Sequence, residues 1–547
     1  MSDTTLGGTA GTPGLLDRER TVARPGFNRW LVPPAALAIH LCIGMIYGFS
    51  VFWLPLSHAL PGTQPAECTR MSLGEALITT TCNWRISDLG WTFTLAIVLL
   101  GASAALFGGW LERAGPRKAG VASALCWCGG LLISALGISV HQLWLLWLGS
   151  GLIGGVGLGI GYITPVSTLI KWFPDRRGMA TGMAIMGFGG GAMIGGPLAV
   201  ILMRSFKTAD DPGVWQTFIV LALVYAVFML GGAFAFRVAP GGWTPRGFVP
   251  ATTSTRMRTT RDVALADAHK TPQFWLVWAV LCLNVSAGIG VIDAASPMLQ
   301  EIFAGSLIGQ PGVGFTALSE AQHAQVAALA GGFVALLSLF NIGGRFFWAS
   351  ISDRLGRKAT YSVIFLLGIV LYAAAPSLAH AGQQALFVLA ICVILSMYGG
   401  GFATVPAYLA DLFGTRFVGA IHGRLLTAWS VAGVIGPVLV NYIREAEIRN
   451  GVPRAQVYDF TLYVLVGLLV AGFLANLAVR PVSERWFMRD RDAPAVAAGS
   501  GAAAMRAPVG AEAGAFGVAG ALGWAAVGIP ILWGVWMTLT KARVLFS

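Results

Sequence analysis

Twelve runs of about twenty mostly apolar residues follow one another along this chain, each long enough to cross a bilayer as a helix. They fall near 31–56, 89–111, 119–139, 143–168, 178–203, 215–236, 274–298, 325–349, 359–380, 384–409, 419–443 and 458–480, and a thirteenth lies near 518–540. Hydrocarbon offers no partner to a backbone N–H or C=O, so such runs fold as helices that satisfy themselves. The expected class is therefore an all-α membrane protein. Of the 547 residues 56% are hydrophobic and only 11% charged, too few charges to cover a soluble protein of this length. The first 28 residues are polar and lack the apolar core of a cleavable signal, so the first span serves as the insertion signal.

A net charge of +12 raises the question of nucleic acid, but the basic residues sit in short loops between spans, where they set orientation. Arg113, Arg117 and Lys118, then Lys171, Arg176 and Arg177, then Arg354, Arg357 and Lys358 fall on one side, with the basic linker at 237–273. The loop at 299–322 carries Glu301 and Glu320 without Lys or Arg, although Arg444, Arg449 and Arg454 run against the rule. The balance places the N-terminus in the cytoplasm of a bacterial inner membrane, with no nucleic acid as partner. If the thirteenth run crosses, its end "KARVLFS" emerges outside against the same rule, so a crossing and an interfacial position both stand. Of seven cysteines, Cys42, Cys126, Cys128, Cys282 and Cys392 fall in apolar runs, and Cys68 and Cys82 share one loop where a disulfide is open.

Internal repetition organises the spans. "ERAGPRK" from Glu112 returns as "DRLGRK" from Asp353, and "TPVSTLIKWFPDRRG" from Thr164 returns as "TVPAYLADLFGTRFVG" from Thr404. "MIGGP" ending at Pro197 returns as "VIGP" ending at Pro437, and all three pairs share an offset of about 240 residues. That is a parallel duplication of six helices. The expected parse is a tail at 1–30, a six-helix bundle at 31–236, a linker at 237–273, a second bundle at 274–480, a linker at 481–517 and the extra apolar helix at 518–547. Two like-oriented halves build a transporter with a site at the bilayer midplane.

The loops "GGWLERAGPRK" and "SISDRLGRK" resemble the major facilitator superfamily signature, and the expected fold is the major facilitator fold. Within that superfamily "MIYGFSVFWLPL", "GIGYITPVSTLIKWFPDRRGMATGMAIMGFGGG" and "LTAWSVAGVIGP" resemble the oxalate/formate antiporter family over roughly residues 30–480. The carboxylates Glu112 and Asp353, each followed by cations (Arg113; Arg354 and Arg357), suit gate contacts that break and remake during alternating access, or serve topology alone.

Arg345, in "FNIGGRFFWASISD", is the chemically loaded residue, because a central arginine in a span costs about 2.5–3.5 kcal/mol unless it meets a partner or a polar cavity. Two readings fit it. Asp353 lies eight residues on, about 12 Å of helix, so the side chain has a route to the interface by snorkelling. Alternatively a substrate carboxylate supplies the countercharge and the guanidinium grips it with two parallel bonds. The resemblance favours the second, since this position matches the arginine by which that family holds carboxylate. Asn341 lies one turn away on the same face, and Gly343 and Gly344 suit close packing. Tyr398 and Phe402 share a face of the tenth span, as a packing stripe or as walls around a small anion. By analogy with the family, Tyr47, Trp91 and Tyr162 complete an aromatic cage.

Where oxalate-specific members carry a lysine in the eleventh span, this chain has Trp429. A dianion wants two cations, so a monocarboxylate such as formate, lactate or pyruvate fits at least as well as oxalate. His422 and Arg424 lie near the cytoplasmic start of that span and read as interfacial or gate residues. Asp293 is a candidate proton-coupling carboxylate or a solvated vestibule residue. Met183, Met186 and Met193 read as packing. No nucleophile elbow, metal cluster or phosphate loop is present, so the expectation is a non-enzyme without cofactor, a monomeric secondary carrier of small organic anions by exchange or proton coupling. The alternative is a non-transporting membrane sensor on a transporter scaffold, which binds without flux.

Overall fold

The computed structural model describes residues 14–60, 71–248, 257–488, 517–542 and 545. Cys68, and with it the pairing considered for Cys82, and Arg256 lie outside them. Thirteen helical segments among the described residues are long and apolar enough to span a membrane. They are α1 Arg29–Phe52, α2 Asp88–Ala114, α3 Pro116–Ser139, α4 Leu143–Trp172, α5 Arg177–Phe206, α6 Val214–Ala235, α7 Pro272–Ile308, α8 Glu320–Leu355, α9 Arg357–His380, α10 Gln384–Phe413, α11 Val418–Arg449, α12 Arg454–Ala478 and α13 Gly517–Thr540. Several outrun their apolar cores. The α8 segment begins at a capping box in which Ser319 and Gln322 satisfy each other's N–H, a start signal that hydropathy does not carry.

The repeated loops have a backbone reason. Gly115 and Gly356 both hold φ near +85°, at 85° and 84°, and reverse the chain between α2 and α3 and between α8 and α9. These loops, the 171–177 loop and the 257–271 part of the linker gather at one end of the bundle, the basic end. At the opposite end two of the three arginines that run against the charge rule, Arg444 and Arg454, share one buried carboxylate. Glu301, 2% exposed, accepts from Arg444 at 2.9 Å, Arg454 at 3.0 Å and Tyr458 at 2.8 Å.

Two seams join α1–α6 to α7–α12. On one, a side chain at Gly178 would strike Ala349 of α8, and one at Gly182 would sit 2.8 Å from the Arg345 carbonyl. On the other, a side chain at Gly108 of α2 would lie 2.6 Å from Ala420 of α11. Small residues thus bring the halves together toward the basic end. At the opposite end α5 and α8 part around an open cavity of about 490 Å³ whose floor includes Tyr47 and whose outer wall includes Met537 and Thr538. The α13 helix runs the depth of this seam. It donates from Trp524 to the Trp30 carbonyl near the basic end and reaches the cavity at Met537, which is the crossing geometry rather than the interfacial one.

Met186 and Met193 do pack: Met186 against the cluster of Leu37, Ala38 and Val527, and Met193 beside Gly534 of α13. Gly344 lies against the Ser396 carbonyl of α10, so only glycine fits there. Gly343 faces open space and serves no packing role.

Candidate functional site

Arg345 is wholly buried, which removes the snorkelling reading. Its Nε donates to the Asn341 carboxamide oxygen at 2.9 Å, one turn back on α8, and Nη1 donates to the Ile185 carbonyl of α5 at 3.2 Å. Nη2 has no partner. The guanidinium carbon stands 5.7 Å from the Phe402 ring centroid, and no carboxylate pairs with it among the described residues. The cation therefore bridges both halves of the molecule with one whole nitrogen to spare. Glycines make room for it: a side chain at Gly189 would come within 3.1 Å of Nε, and one at Gly399 within 3.0 Å of its stem.

Around it the structure brings together most of the expected aromatic residues. Phe402 and Trp429 meet edge to face at 4.5 Å, Tyr162 lies 5.5 Å from Trp429 and 5.9 Å from Phe402, and Tyr47 lies 6.2 Å from Trp429. The Tyr47 and Tyr398 hydroxyls approach to 3.5 Å across the two halves. Phe188 of α5, not anticipated from sequence, fills the middle, 5.2 Å from Tyr47 and 5.4 Å from Trp429. Beside the free nitrogen of Arg345 the Trp429 indole N–H and the Tyr162 hydroxyl also lack partners. Buried donors left unpaired cost about 1–3 kcal/mol each. Three of them in one aromatic pocket describe a place for an acceptor.

Trp91 is a correction. It is 47% exposed and packs on Trp147 at 6.4 Å, away from the cage. The α2 residue that reaches Tyr47 is Phe93, at 6.5 Å, and two residues of helix turn a side chain by about 200°. His422 corrects a second expectation: it is fully buried 5.9 Å from the Tyr162 ring, with both ring nitrogens unpartnered. Arg424 does hold the basic surface, donating to the Leu265 carbonyl at 2.6 Å and contacting His269 at 2.9 Å. Asp293 is exposed and accepts from Asn441 at 2.8 Å, the vestibule alternative.

Asp353 accepts from the Gly178 and Met179 N–H groups at 2.8 and 2.9 Å, capping α5 from across the seam, and from Arg357 at 2.6 Å. Asp411, missed in the sequence, pairs with Arg177 at 3.0 Å and Arg357 at 3.1 Å. Its signal was its place in the repeat, one turn before Gly414. Glu112 pairs with Lys171 and accepts from Ser167 at 3.0 Å, all within one half. Arg113 and Arg354 are exposed and enter no ion pair among the described residues.

Residues 37–437 match the family model described as Major Facilitator Superfamily. The chain is 27% identical over 344 residues to an oxalate:formate antiporter of Oxalobacter formigenes, covering 63% of this chain and 73% of the relative. It is 25% identical over 386 residues to apicoplast pyruvate carrier 1 of Toxoplasma gondii, covering 62% and 66%. Among solved structures it superposes on the transporter FucP, crystallised in the outward conformation, with TM-score 0.53 at 12% identity, covering 82% of this chain and 99% of that one.

Proposed function

This chain belongs to the Major Facilitator Superfamily and is a multi-pass membrane transporter, and from that premise we propose that it carries small organic carboxylates across a bacterial inner membrane by alternating access. The basic end is the cytoplasmic one in this reading, with the N-terminus inside. The observation that carries it is the wholly buried Arg345, which pairs with no acid among the described residues and has an unused donor, as do Trp429 and Tyr162 of the same cage. An anion supplies the missing charge and the missing acceptor at once, and the aromatic walls strengthen the attraction by excluding water. The relatives named for oxalate, formate and pyruvate agree with this class of substrate. One permanent cation at the centre favours monocarboxylates such as formate, lactate and pyruvate over a dianion.

In this reading the anion enters by the cavity between α5 and α8, which Tyr47 lines, and Tyr47 in turn packs on Trp429 of the site. The helix-capping Asp353 and the Asp411 cluster hold the basic end shut and must separate when the halves rock. The test is counterflow in proteoliposomes loaded in turn with formate, lactate, pyruvate and oxalate, comparing the native chain with Arg345→Gln. Exchange of a monocarboxylate that falls at least a hundredfold in the variant is expected. Equal exchange by both proteins would remove Arg345 from the site.

A further inference from the structure

His40 of α1 is fully buried behind Phe188 and Tyr162, and both of its ring nitrogens face backbone carbonyls. Nδ1 lies 2.5 Å from the Ala184 oxygen on α5, and Nε2 lies 3.0 Å from the Tyr162 oxygen on α4. A neutral imidazole has one N–H and one lone pair, so in this position one nitrogen would set its lone pair against a carbonyl lone pair. Only the imidazolium donates to both. His40 carries no signal in the sequence, because its two acceptors belong to other helices.

The titratable and charged neighbours are few. The α8 helix presents the Arg345 guanidinium, α4 the Tyr162 phenol, α11 the His422 imidazole, and α5 no ionisable side chain in the stretch 184–189. A second positive charge beside Arg345 is therefore opposed until an anion arrives. His422 is no rival for that proton, since neither of its nitrogens has an acceptor, and Asp293 stands exposed against Asn441.

We propose that His40 takes up one proton when the carboxylate binds, and that the protein is a proton-coupled anion carrier. The inference rests on the carboxylate reading above. The proton from the medium goes onto the free ring nitrogen of His40, forming one N–H bond. With a monocarboxylate and a proton both bound, the site carries the same net charge as when empty, which is Arg345 alone. Loaded and empty carriers can then cross between their two states at equal electrostatic cost, and proton and anion each tighten the other's binding reciprocally.

The experiment uses the purified full chain and pyruvate, lactate, formate and oxalate as probes, reading binding by isothermal titration from pH 6.5 to 8.5 and proton uptake with an indicator dye in weak buffer. Expected are about one proton taken up per anion and an apparent Kd that rises by up to about tenfold per pH unit. The slope should vanish in His40→Gln and persist in His422→Gln. Proton uptake by the native chain is a readout that does not depend on the variant folding. Binding without proton uptake overturns this inference alone, and a slope lost in His422→Gln but kept in His40→Gln does the same. Failure of all four acids to bind overturns the carboxylate reading and this inference with it.

Discussion

Charge and shape are separable at Arg345. Arg345→Lys keeps the cation but loses the planar fork that reaches Asn341 and Ile185 together while leaving one nitrogen free. Losing one charge-assisted bond to the anion costs about 1.5–3 kcal/mol, so the apparent affinity in counterflow should weaken about ten- to hundredfold while flux survives. A lysine variant as inert as glutamine would mean that geometry, not charge, holds the anion. Trp429→Phe is the milder change, because it keeps an aromatic ring near Phe402 while removing the unpartnered N–H together with the smaller ring of the indole. Arg345 was legible in the sequence because a cation in an apolar run demands a reason. Tyr162 and Trp429 came from the resemblance and Phe402 from its spacing with Tyr398, and all three lie close around it. Trp91 does not, because no sequence fixes the rotation of a helix about its own axis, and Phe93 occupies the inward face instead.

At the level of helices and loops, closure of the basic end depends on one half's acid capping the other half's helix. Asp353→Asn keeps an acceptor oxygen for only one of the Gly178 and Met179 N–H groups, which each use a different carboxylate oxygen, and gives up the charge shared with Arg357 and the favourable interaction with the α5 N-terminus. Spin labels at the exposed Arg176 and Arg354 positions should then show a longer distance distribution, and transport should fall several-fold. An unchanged distribution would make this contact structural rather than a gate. The loop between α3 and α4 answers to pH. Burial holds the His141 imidazole below its ordinary value of 6.5, against a hydrogen bond to the Cys82 carbonyl, and the ring stacks on Trp84 at 4.1 Å. The unfolded loop takes the proton more readily, so the packing is intact above about pH 6.5 and is lost progressively below it. Hydrogen exchange over residues 71–85 should quicken as pH falls, after correction for the intrinsic rate, and His141→Phe should abolish the change. These elements were only partly readable: the glycines of the repeated loops announced their turns, while the 3-10 stretch Gly44–Phe52 that presents Tyr47 has no hydropathy signature.

Across the whole molecule, hydropathy and the 240-residue offset already contained the pairing of two six-helix halves, since apolar length and duplication are properties of the chain itself. The role of α13 was not contained there, because apolar length alone does not distinguish a helix that crosses from one that lies at the interface. It touches α1 and α5 in one half and α8 in the other, covering the seam where they part around the cavity. It begins beside Trp30 at the basic end and ends at the opposite end, where the Leu545 carbonyl accepts from Gln384 at 3.5 Å. Thirteen crossings among the described residues put Arg29 and Thr540 on opposite sides. Impermeant labelling should therefore reach a tag after Ser547 only from the side opposite to one before Met1. Labelling of both from the same side would exclude this crossing. Truncation after residue 516 tests the second consequence, that α13 is a side wall and not part of the anion site. Pyruvate binding should survive, while the melting temperature in detergent drops by about 5 °C through loss of the contacts to Met193 and Pro34. If binding disappears in a chain that still melts cooperatively, α13 shapes the site itself, and the cavity it closes is more than an entrance.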